Sequence, residues 1–536
     1  MATDPIRLEV FKHLFAAIAE EMGVVLRKTS YSPNIKERRD YSCALFDIRG
    51  RMIAQAAHIP VHLGAMPLSV EAAIHKFGVA ALHPGDVILL NDPFLGGTHL
   101  PDITMVTPVF VQPADPTQHN LIGFVASRAH HADVGGITPG SMPVAREIFQ
   151  EGLIIPPLKL IDAGNLNQAV LDLILANVRT PQERAGDLSA QIGANQRGAK
   201  RLEEMASRYG VEMVCHFMDE LLTYTECMTR RLLSSLPDGE YSFADQLDDD
   251  GISDKPVPIM VKVTISDDHA IVDFTGSAQQ QTGSVNAVYA ITLSAVYYVF
   301  RCLIGLDIPN NSGCLAPIKV IAPQGTVVNA LHPAAVAGGN VETSQRIVDV
   351  LLGALAQACP EKIPAASQGT MNNLSIGGTG SDEVSGRGLP FAYYETIGGG
   401  MGARPGSDGP SAIHSHMTNT LNTPVEAIEY AYPLRVLRYE IRRGSGGAGR
   451  FRGGDGIRRD VQLLVDAQAT LLSERRRFSP YGLEGGAPGQ CGENILIRGD
   501  EESKLPGKGI FELHKGDVLS IRTPGGGGYR KANDTR

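Results

Sequence analysis

The chain has 536 residues, of which 43% are hydrophobic and 20% are charged. This balance is ordinary for a folded enzyme and excludes a disordered or fibrous protein. The net charge of -10 at pH 7 excludes a broad basic surface, so nucleic acid is not an expected partner.

The cysteines and the apolar residues indicate a cytoplasmic protein. The seven cysteines are odd in number and form no C-x-x-C pair, as expected for reduced thiols. Asp4, Glu9 and Lys12 interrupt the apolar residues near the N-terminus, which is not the pattern of a secretory signal. No apolar run reaches the ~18 residues of a membrane span, so we expect no membrane partner.

The hydrophobic pattern predicts an N-terminal helix and then short strands. Ile6, Val10, Leu14 and Ile18 recur at helical spacing, which predicts an amphipathic helix over residues 5–28. Alternating and β-branched residues predict strands at residues 41–46, 87–90, 103–110 and 121–127. Further helices are predicted at residues 168–177, 182–209, 212–235, 287–303 and 343–358.

A β-hairpin is predicted where a Ser-Asp-Asp turn lies between residues 261–265 and 270–274. From residue 369 onward, frequent glycines predict short strands with tight turns. The predicted fold class is α+β, in a large multi-layer subunit. It divides into an N-terminal α/β region, a helical segment, a mixed α/β region and a Gly-rich β-rich region, at residues 1–160, 161–236, 237–368 and 369–536.

Histidine and aspartate residues gather at the ends of the N-terminal strands. Asp40 opens the first strand, His99 and Asp102 lie in a Gly-rich turn, and His130 ends a later strand. Imidazole and carboxylate together suit zinc, manganese or iron better than calcium or magnesium. If the strand ends converge, the region 1–160 holds one divalent ion. The alternative is that these are buried polar residues that hydrogen-bond the backbone of the glycine turns.

Local geometry constrains this set of candidate ligands. Pro101 disfavours a helical conformation before it, so His99 and Asp102 must meet through a turn. Neighbouring side chains on a strand point to opposite faces, so His130 and His131 reach one ion only if the chain bends. The histidine that is not a ligand could support the ligands or transfer protons, and we predict this catalytic role for His131. Asp133 is either a further ligand or a turn residue.

Four other histidines are candidates for lining a substrate pocket. His58 and His62 lie four residues apart across Pro60, which suits either a structural or a pocket-lining role. His414 and His416 lie two apart and would share one strand face. With the polar, Gly-rich residues 393–406 they could line a cleft, and the alternative is a turn-rich surface.

Two glycine motifs resemble nucleotide-binding loops and fail the test of context. Residues 193–200 approach a phosphate loop, but an alanine precedes the lysine and the segment lies in a predicted helix. Residues 444–449 satisfy G-x-G-x-x-G, but no helix follows them. We therefore expect no nucleotide-binding residues of a familiar type in this chain.

Several segments resemble the hydantoinase B family, which is related to 5-oxoprolinase, N-methylhydantoinase, caprolactamase and the acetone and acetophenone carboxylases. These segments extend from Asp40 almost to the C-terminus, and they are HIPVHLGAM, NDPFLGGTHLPDI, RAHHADVGG, YYETIGGGMGA, HMTNTLNTPVEAIE and TPGGGG.

The resemblance implies a partner and a ligand set. A separate hydantoinase A-type subunit would bind ATP and phosphorylate the substrate oxygen, in an A2B2 or similar heteromer with this chain. The family's metal-ligand pattern matches His99, Asp102 and His130, with Asp40 as a further ligand to zinc or manganese. Residues 111–120 form a longer connection than usual in the family, which leaves His131 as the alternative to His130.

The resemblance also implies a function. The leading hypothesis is ATP-dependent ring opening of a cyclic amide such as a hydantoin, 5-oxoproline or caprolactam, in which this chain hydrolyses the phosphorylated lactam. The enzymatic alternative is a component of an ATP-dependent ketone carboxylase. A third hypothesis is a scaffold for the A-type subunit with a purely structural metal.

Overall fold

A computed structural model describes residues 4–56, 58–111, 120–381 and 388–532. Most of the connection at residues 111–120, which the sequence predicts to be unusually long, lies outside the described residues. Within them no helix is long and apolar enough to cross a membrane.

A seven-stranded sheet forms the N-terminal region, in the strand order β2-β1-β5-β4-β3-β6-β7. Its described strands are β1 (Tyr41–Phe46), β2 (Met52–Gln55), β3 (Val87–Leu90), β4 (Asp102–Val111), β5 (Asn120–His130), β6 (Leu158–Asp162) and β7 (Asn165–Leu166). Strands β1, β3, β4 and β5 confirm the four strands that the sequence predicts. The central strands are buried along almost their whole length, because helices cover the sheet.

Helices pack on both sides of this sheet. They are α1 (Pro5–Thr29), α2 (Pro33–Lys36), α3 (Ala65–Phe77), α4 (Gln168–Ala176), α5 (Pro181–Tyr209) and α6 (Val211–Leu233). The Asp4 side chain caps α1 by accepting the N–H of Ile6 at 3.0 Å. Phe15, Met22 and other apolar residues of α1 are buried in a core shared with α5 and α6. The predicted helices at residues 5–28, 168–177, 182–209 and 212–235 are confirmed within three residues at each end.

A four-stranded sheet follows, in the order β11-β10-β9-β8. Its strands are β8 (Gly239–Leu247), β9 (Val257–Ser266), β10 (His269–Asp273) and β11 (Ile318–Ile321). Strands β9 and β10 form the predicted hairpin, with Asp267 at its turn in the left-handed region (φ 54). Helices α7 (Tyr289–Ile304) and α8 (Ser344–Leu355) confirm the last two predicted helices, and one turn of π-helix, Gly339–Thr343, leads into α8.

The C-terminal region is β-rich, as predicted. One sheet has the order β13-β12-β16-β19 and the other β14-β15-β20-β17-β18, and the short helix α9 (Val425–Ala431) precedes β14. The strands are β12 (Asn373–Ser381), β13 (Gly388–Glu395), β14 (Leu434–Arg442), β15 (Gly456–Leu463), β16 (Ala467–Leu472), β17 (Glu493–Arg498), β18 (Glu501–Leu505), β19 (Lys508–Leu513) and β20 (Val518–Arg522).

The largest hydrophobic core joins regions that are distant in sequence. It contains Leu89 of β3, Leu188 of α5, Ile259 of β9 and Leu472 of β16, with α7 and α8 near its middle. The fold therefore confirms the α+β class and the order of helical and β-rich parts. The boundaries at 160, 236 and 368 stay a prediction, since one continuous core connects all four regions.

Gly339 allows the π-turn to pack closely against the residues before α7. A Cβ atom at Gly339 would lie 1.8 Å from the Asn286 carbonyl oxygen, so the backbone would have to move. We expect Gly339→Ala to destabilise the fold by about 1–3 kcal/mol.

Gly193 in α5 is the matched control, because open space surrounds its Cβ position. Gly193→Ala should stabilise the fold by about 0.5–1 kcal/mol, since alanine favours helix. Denaturant unfolding measures both, and equal shifts would contradict this packing.

Glu151 couples stability to pH. Its Oε1 accepts the N–H groups of Val336 at 2.8 Å and Ala337 at 2.9 Å, and its Oε2 is buried without a partner. Burial outweighs these hydrogen bonds and raises the pKa of Glu151 from 4.5 to about 8. Because the folded chain holds this proton more tightly, the resulting stability is fully present below about pH 4.5 and is lost as the pH rises through about 8.

We therefore expect Glu151→Gln, which keeps the shape without the titrating proton, to gain thermal stability relative to the wild type as the pH rises from 4.5 to about 8. Thermal melts across this range measure the difference. Glu361→Gln at an exposed position is the control, and a difference between Glu151→Gln and the wild type that does not change with pH would contradict the expectation.

Candidate metal centre

Strand pairing brings the predicted ligands to one edge of the N-terminal sheet. Asp102 is the first residue of β4 and His130 the last of β5, and the two are direct antiparallel partners. Ala129 of β5 pairs with Tyr41 of β1, so Asp40 lies at the same edge. His99 reaches this edge through a turn in which the Asp102 N–H donates to the His99 carbonyl at 3.1 Å. The strand ends therefore meet at one edge, and His99 and Asp102 meet through a turn, as the sequence predicts; convergence on an ion stays a prediction.

His99, Asp102 and His130 form a buried group with the chemistry of a metal site. Asp102 Oδ1 lies 3.1 Å from His99 Nε2 and 3.4 Å from His130 Nδ1. One ligand atom from each residue lies within 4.8 Å of the other two. The three side chains are at most 3% exposed, so an ion held there would be shielded from bulk water.

The second oxygen of Asp102 is held by other protein groups. Thr98 Oγ1 donates to Asp102 Oδ2 at 2.5 Å, and His62 Nε2 lies 3.3 Å from the same oxygen. His62 is in turn fixed by the Ser42 hydroxyl, 2.9 Å from its Nδ1. These contacts orient the carboxylate so that Oδ1 faces the two histidines, as groups around metal ligands commonly do.

The protonation of these residues suits a metal site. Burial by itself would raise the pKa of Asp102, but His99, His130 and His62 outweigh burial and hold this pKa well below its usual range. Burial lowers the pKa of His130 and of His62, although Asp102 opposes the shift in each. These directions favour an ionised Asp102 and a neutral His130, the forms in which a carboxylate and an imidazole bind a metal.

Residues from distant parts of the chain complete the surroundings. The Tyr394 ring stacks on His130, with ring centroids 4.2 Å apart and planes inclined by 13°. Its hydroxyl donates to Asn373 Oδ1 at 2.8 Å. The Asn340 side-chain nitrogen, in the π-turn, lies 3.1 Å from His99 Nε2. Only Tyr394 belongs to a segment that the sequence marks, residues 393–406, and no local pattern distinguishes Asn340 or Asn373.

The donor set fits a divalent ion. His99 Nε2 and His130 Nδ1 face Asp102 Oδ1. The other nitrogen of each ring, His99 Nδ1 and His130 Nε2, is buried without a hydrogen-bond partner, so neither ring is fully committed to protein contacts. Two imidazoles and a carboxylate are ligands typical of zinc or manganese. The adjoining cavity has a volume of about 20 Å³, which is room for about one water molecule.

Asp40 and His131 lie near this group but have different surroundings. Asp40 lines the same cavity, yet its carboxylate is outside the group of three and lies 3.5 Å from the Arg38 guanidinium. Burial raises the pKa of Asp40. His131 points toward helix α5, where its Nε2 lies 2.9 Å from Gln191 Oε1. His130 and His131 therefore separate as the strand alternation predicts. The ligand role of Asp40 and the catalytic role of His131 stay predictions.

The four pocket candidates do not come together. His62 lines the metal cavity, whereas His58 lines a different pocket beside Tyr41. His416 lines a third cavity next to Tyr298, and His414 is half-buried near Thr418. Burial lowers the pKa of both His58 and His414 to about 4. The expectation that His414 and His416 share a strand face is wrong, because this segment forms an irregular turn with His416 in the left-handed region (φ 56).

Comparison with known proteins places this site in a family. A family model described as Hydantoinase B/oxoprolinase matches residues 4–532. The chain belongs to this family. A Pseudomonas sp. (strain NS671) protein, named as the B-type component of a D-/L-hydantoinase, is 34% identical to this chain, over 98% of this chain and 90% of that protein. The family resemblance that the sequence indicates is thus confirmed.

Two further relatives give the fold and the scale of the whole proteins. The crystal structure of ATP-dependent caprolactamase from Pseudomonas jessenii matches with a TM-score of 0.90 at 31% identity, covering 99% of this chain and 92% of that one. Arabidopsis thaliana 5-oxoprolinase 1 is 42% identical over 98% of this chain. The chain spans only 42% of the length of that 5-oxoprolinase.

The geometry predicts which side chains control metal binding. Asp102→Asn keeps the shape of the side chain but removes its charge, so we expect the content of zinc or manganese after dialysis to fall from stoichiometric to substoichiometric. Thr98→Val, which removes only the contact to Asp102 Oδ2, should weaken metal affinity by about 10–100-fold. Elemental analysis and competition with a chelator measure both. His514→Gln, at an exposed histidine, is the control, and full metal content in Asp102→Asn would contradict the assignment.

Proposed function

We propose that this chain is the metal-dependent B-type component of an ATP-dependent cyclic amide hydrolase. It would hydrolyse a lactam that an A-type partner has phosphorylated on oxygen. The observation that carries the proposal is the buried group of His99, Asp102 and His130 beside a cavity of water size. Family membership narrows the chemistry to that of the hydantoinases and oxoprolinases.

The length of the relatives supports a partner. Arabidopsis 5-oxoprolinase 1 is more than twice as long as the part that this chain matches, whereas the chain covers 90% of the Pseudomonas hydantoinase component. We infer that a separate A-type chain supplies the remaining part and binds the ATP, in an A2B2 or similar heteromer. The phosphate-loop-like residues 193–200 lie in the middle of helix α5, where the helix leaves no loop to bind phosphate.

Phosphorylation makes the substrate reactive enough for water. Nitrogen resonance makes a lactam a poor electrophile, and an O-phosphorylated imidate gains a good leaving group. A divalent ion, zinc or manganese, held by His99, Asp102 and His130 with Asp40 nearby would supply Lewis acidity and make water nucleophilic near neutral pH. Candidate substrates are a hydantoin, 5-oxoproline or caprolactam.

The residues of the chain position the reacting groups. Thr98 and His62 hold Asp102, and Tyr394 holds the ring of His130 by stacking. The small cavity limits the number of water molecules near the activated carbon, which favours a single oriented attack. His131 contacts Gln191, so the proton-transfer role that we keep for it acts through intervening groups.

Reconstitution with an A-type partner tests the proposal. With ATP and a panel of lactams, the wild type should give a ring-opened product, and His99→Ala should lower kcat by about a hundredfold or more, equivalent to roughly 2.7 kcal/mol. Product formation and ATP hydrolysis are followed together, with His514→Gln as the control.

Two results would decide against the proposal. Ring opening at the wild-type rate by metal-free His99→Ala would favour a scaffold with a structural metal. A carboxylated product from ketones and bicarbonate, without ring opening of any lactam, would favour the carboxylase alternative.

A further inference from the structure

A second pocket lies directly behind the wall of the metal cavity. It has a volume of about 300 Å³, and the residues that matter for its chemistry are Arg27, Arg39, Tyr41, His58 and Asn419. This volume is at the lower end of the range typical of small-molecule sites. We call it the basic pocket.

The wall between the two spaces is one chain thick. Neighbouring residues alternate between them: Asp40, Ile59, Thr418 and Thr420 line the metal cavity, and Tyr41, His58, Asn419 and Leu421 line the basic pocket. Alternation of this kind is expected of extended backbone. A ligand in the basic pocket is therefore separated from the metal site by a single layer of backbone.

The basic pocket carries uncommitted positive charge. Within the described part of the chain, neither Arg27 nor Arg39 has an ion pair or a side-chain hydrogen bond. Glu20 adds one carboxylate to the lining, which leaves positive charge in excess. This excess contrasts with the net charge of -10 for the whole chain. Two such guanidinium groups at one pocket favour an anion, and their planar forks match phosphate oxygens.

The backbone is arranged to place these donors. Arg39 adopts a left-handed conformation (φ 58), between the buried Arg38 and Asp40. His58 Nδ1 accepts the Cys43 N–H at 3.2 Å, so the ring hydrogen of neutral His58 is on Nε2. Gly23 makes room for this ring, because a Cβ atom there would lie 2.7 Å from His58 Nε2.

We propose that the basic pocket binds the phosphoryl group of the activated substrate or the phosphate derived from it. This inference rests on the proposed function for the origin of the phosphate. The metal cavity, with about 20 Å³, is too small for a phosphorylated lactam, so the bulk of such a substrate needs space outside it. The basic pocket provides the charge, and it provides that space once the wall between the two opens.

The segment 417–421 is a part of the wall that lies outside the helices and strands, and it faces both spaces. It is attached by hydrogen bonds that include Leu421 N–H to the Arg38 carbonyl at 2.9 Å and the Asn419 amide to the His58 carbonyl at 3.2 Å. The first bond attaches the segment to Arg38, which precedes Arg39, and the second attaches it to His58 itself. Binding of an anion by those two residues would therefore act next to the points where the segment is attached.

Binding of inorganic phosphate to the whole chain tests the site directly. Calorimetry should detect binding to the wild type, and the double variant Arg27→Gln/Arg39→Gly should bind about tenfold more weakly or worse. Glycine at position 39 suits the left-handed backbone, so folding is not endangered. Glu20→Gln should bind phosphate more tightly, because it removes the opposing charge. Lys28→Gln is the matched control, since Lys28 follows Arg27 in α1 but does not line the pocket.

A second measurement identifies the source of the phosphate. The double variant and the wild type are each reconstituted with an A-type partner. If the pocket binds the phosphorylated substrate, the double variant should form less ring-opened product per ATP hydrolysed than the wild type. An unchanged ratio, with loss of inhibition by added phosphate, would assign the pocket to released phosphate.

The results separate this inference from the proposed function. Unchanged phosphate binding in the double variant, or no binding to the wild type, would overturn the inference even if ring opening occurs. Weakened phosphate binding in the double variant without any ring opening by the wild-type complex would establish an oxyanion site and overturn only its assignment to a lactam reaction.

Discussion

The antiparallel register between β4 and β5 is the constraint on which the candidate metal site depends. It sets Asp102 directly opposite His130, and the next pairing, of β5 with β1, brings Asp40 to the same edge. A slip of one residue would turn every side chain of the strand to the other face of the sheet. Close packing of the buried side chains on both faces opposes such a slip, so the hydrophobic core fixes the positions of polar residues that contribute little to it.

Buried ion pairs fix the other half of the surroundings. Arg346 of α8 lies 3.0 Å from Asp245, Arg475 lies 2.6 Å from Asp349, and Lys508 pairs with Glu474. Removing one partner of such a pair typically costs about 3–5 kcal/mol, because a charge is left buried alone. The Arg475–Asp349 pair ties α8 to the C-terminal region, and the Arg346–Asp245 pair ties it to β8. They thereby hold the π-turn that leads into α8 beside His99.

Sequence patterns predicted the helices, the main strands and the convergence of His99, Asp102 and His130, because these depend on local periodicity and on strand ends. They could not predict Asn340 or Asn373, which reach the site through packing between segments more than 200 residues from the ligands. The supposed strand at His414 and His416 failed for a similar reason. Alternation in a short polar segment does not distinguish a strand from an irregular turn that tertiary contacts hold in place.

The Gly-rich backbone layers have a consequence for the order in which the fold assembles. Gly447 N–H donates to the Gly526 carbonyl at 2.8 Å, and Ala403 N–H donates to the Gly527 carbonyl at 2.9 Å. These partners are roughly 80 to 125 residues apart, and contacts between such distant segments form slowly. Residues 525–528 also leave the ribosome roughly 400 residues after the strands that carry the candidate ligands. The candidate ligands are thus synthesised before Tyr394 and Thr418, which close the cavity from the C-terminal region, and an ion could enter in the interval between.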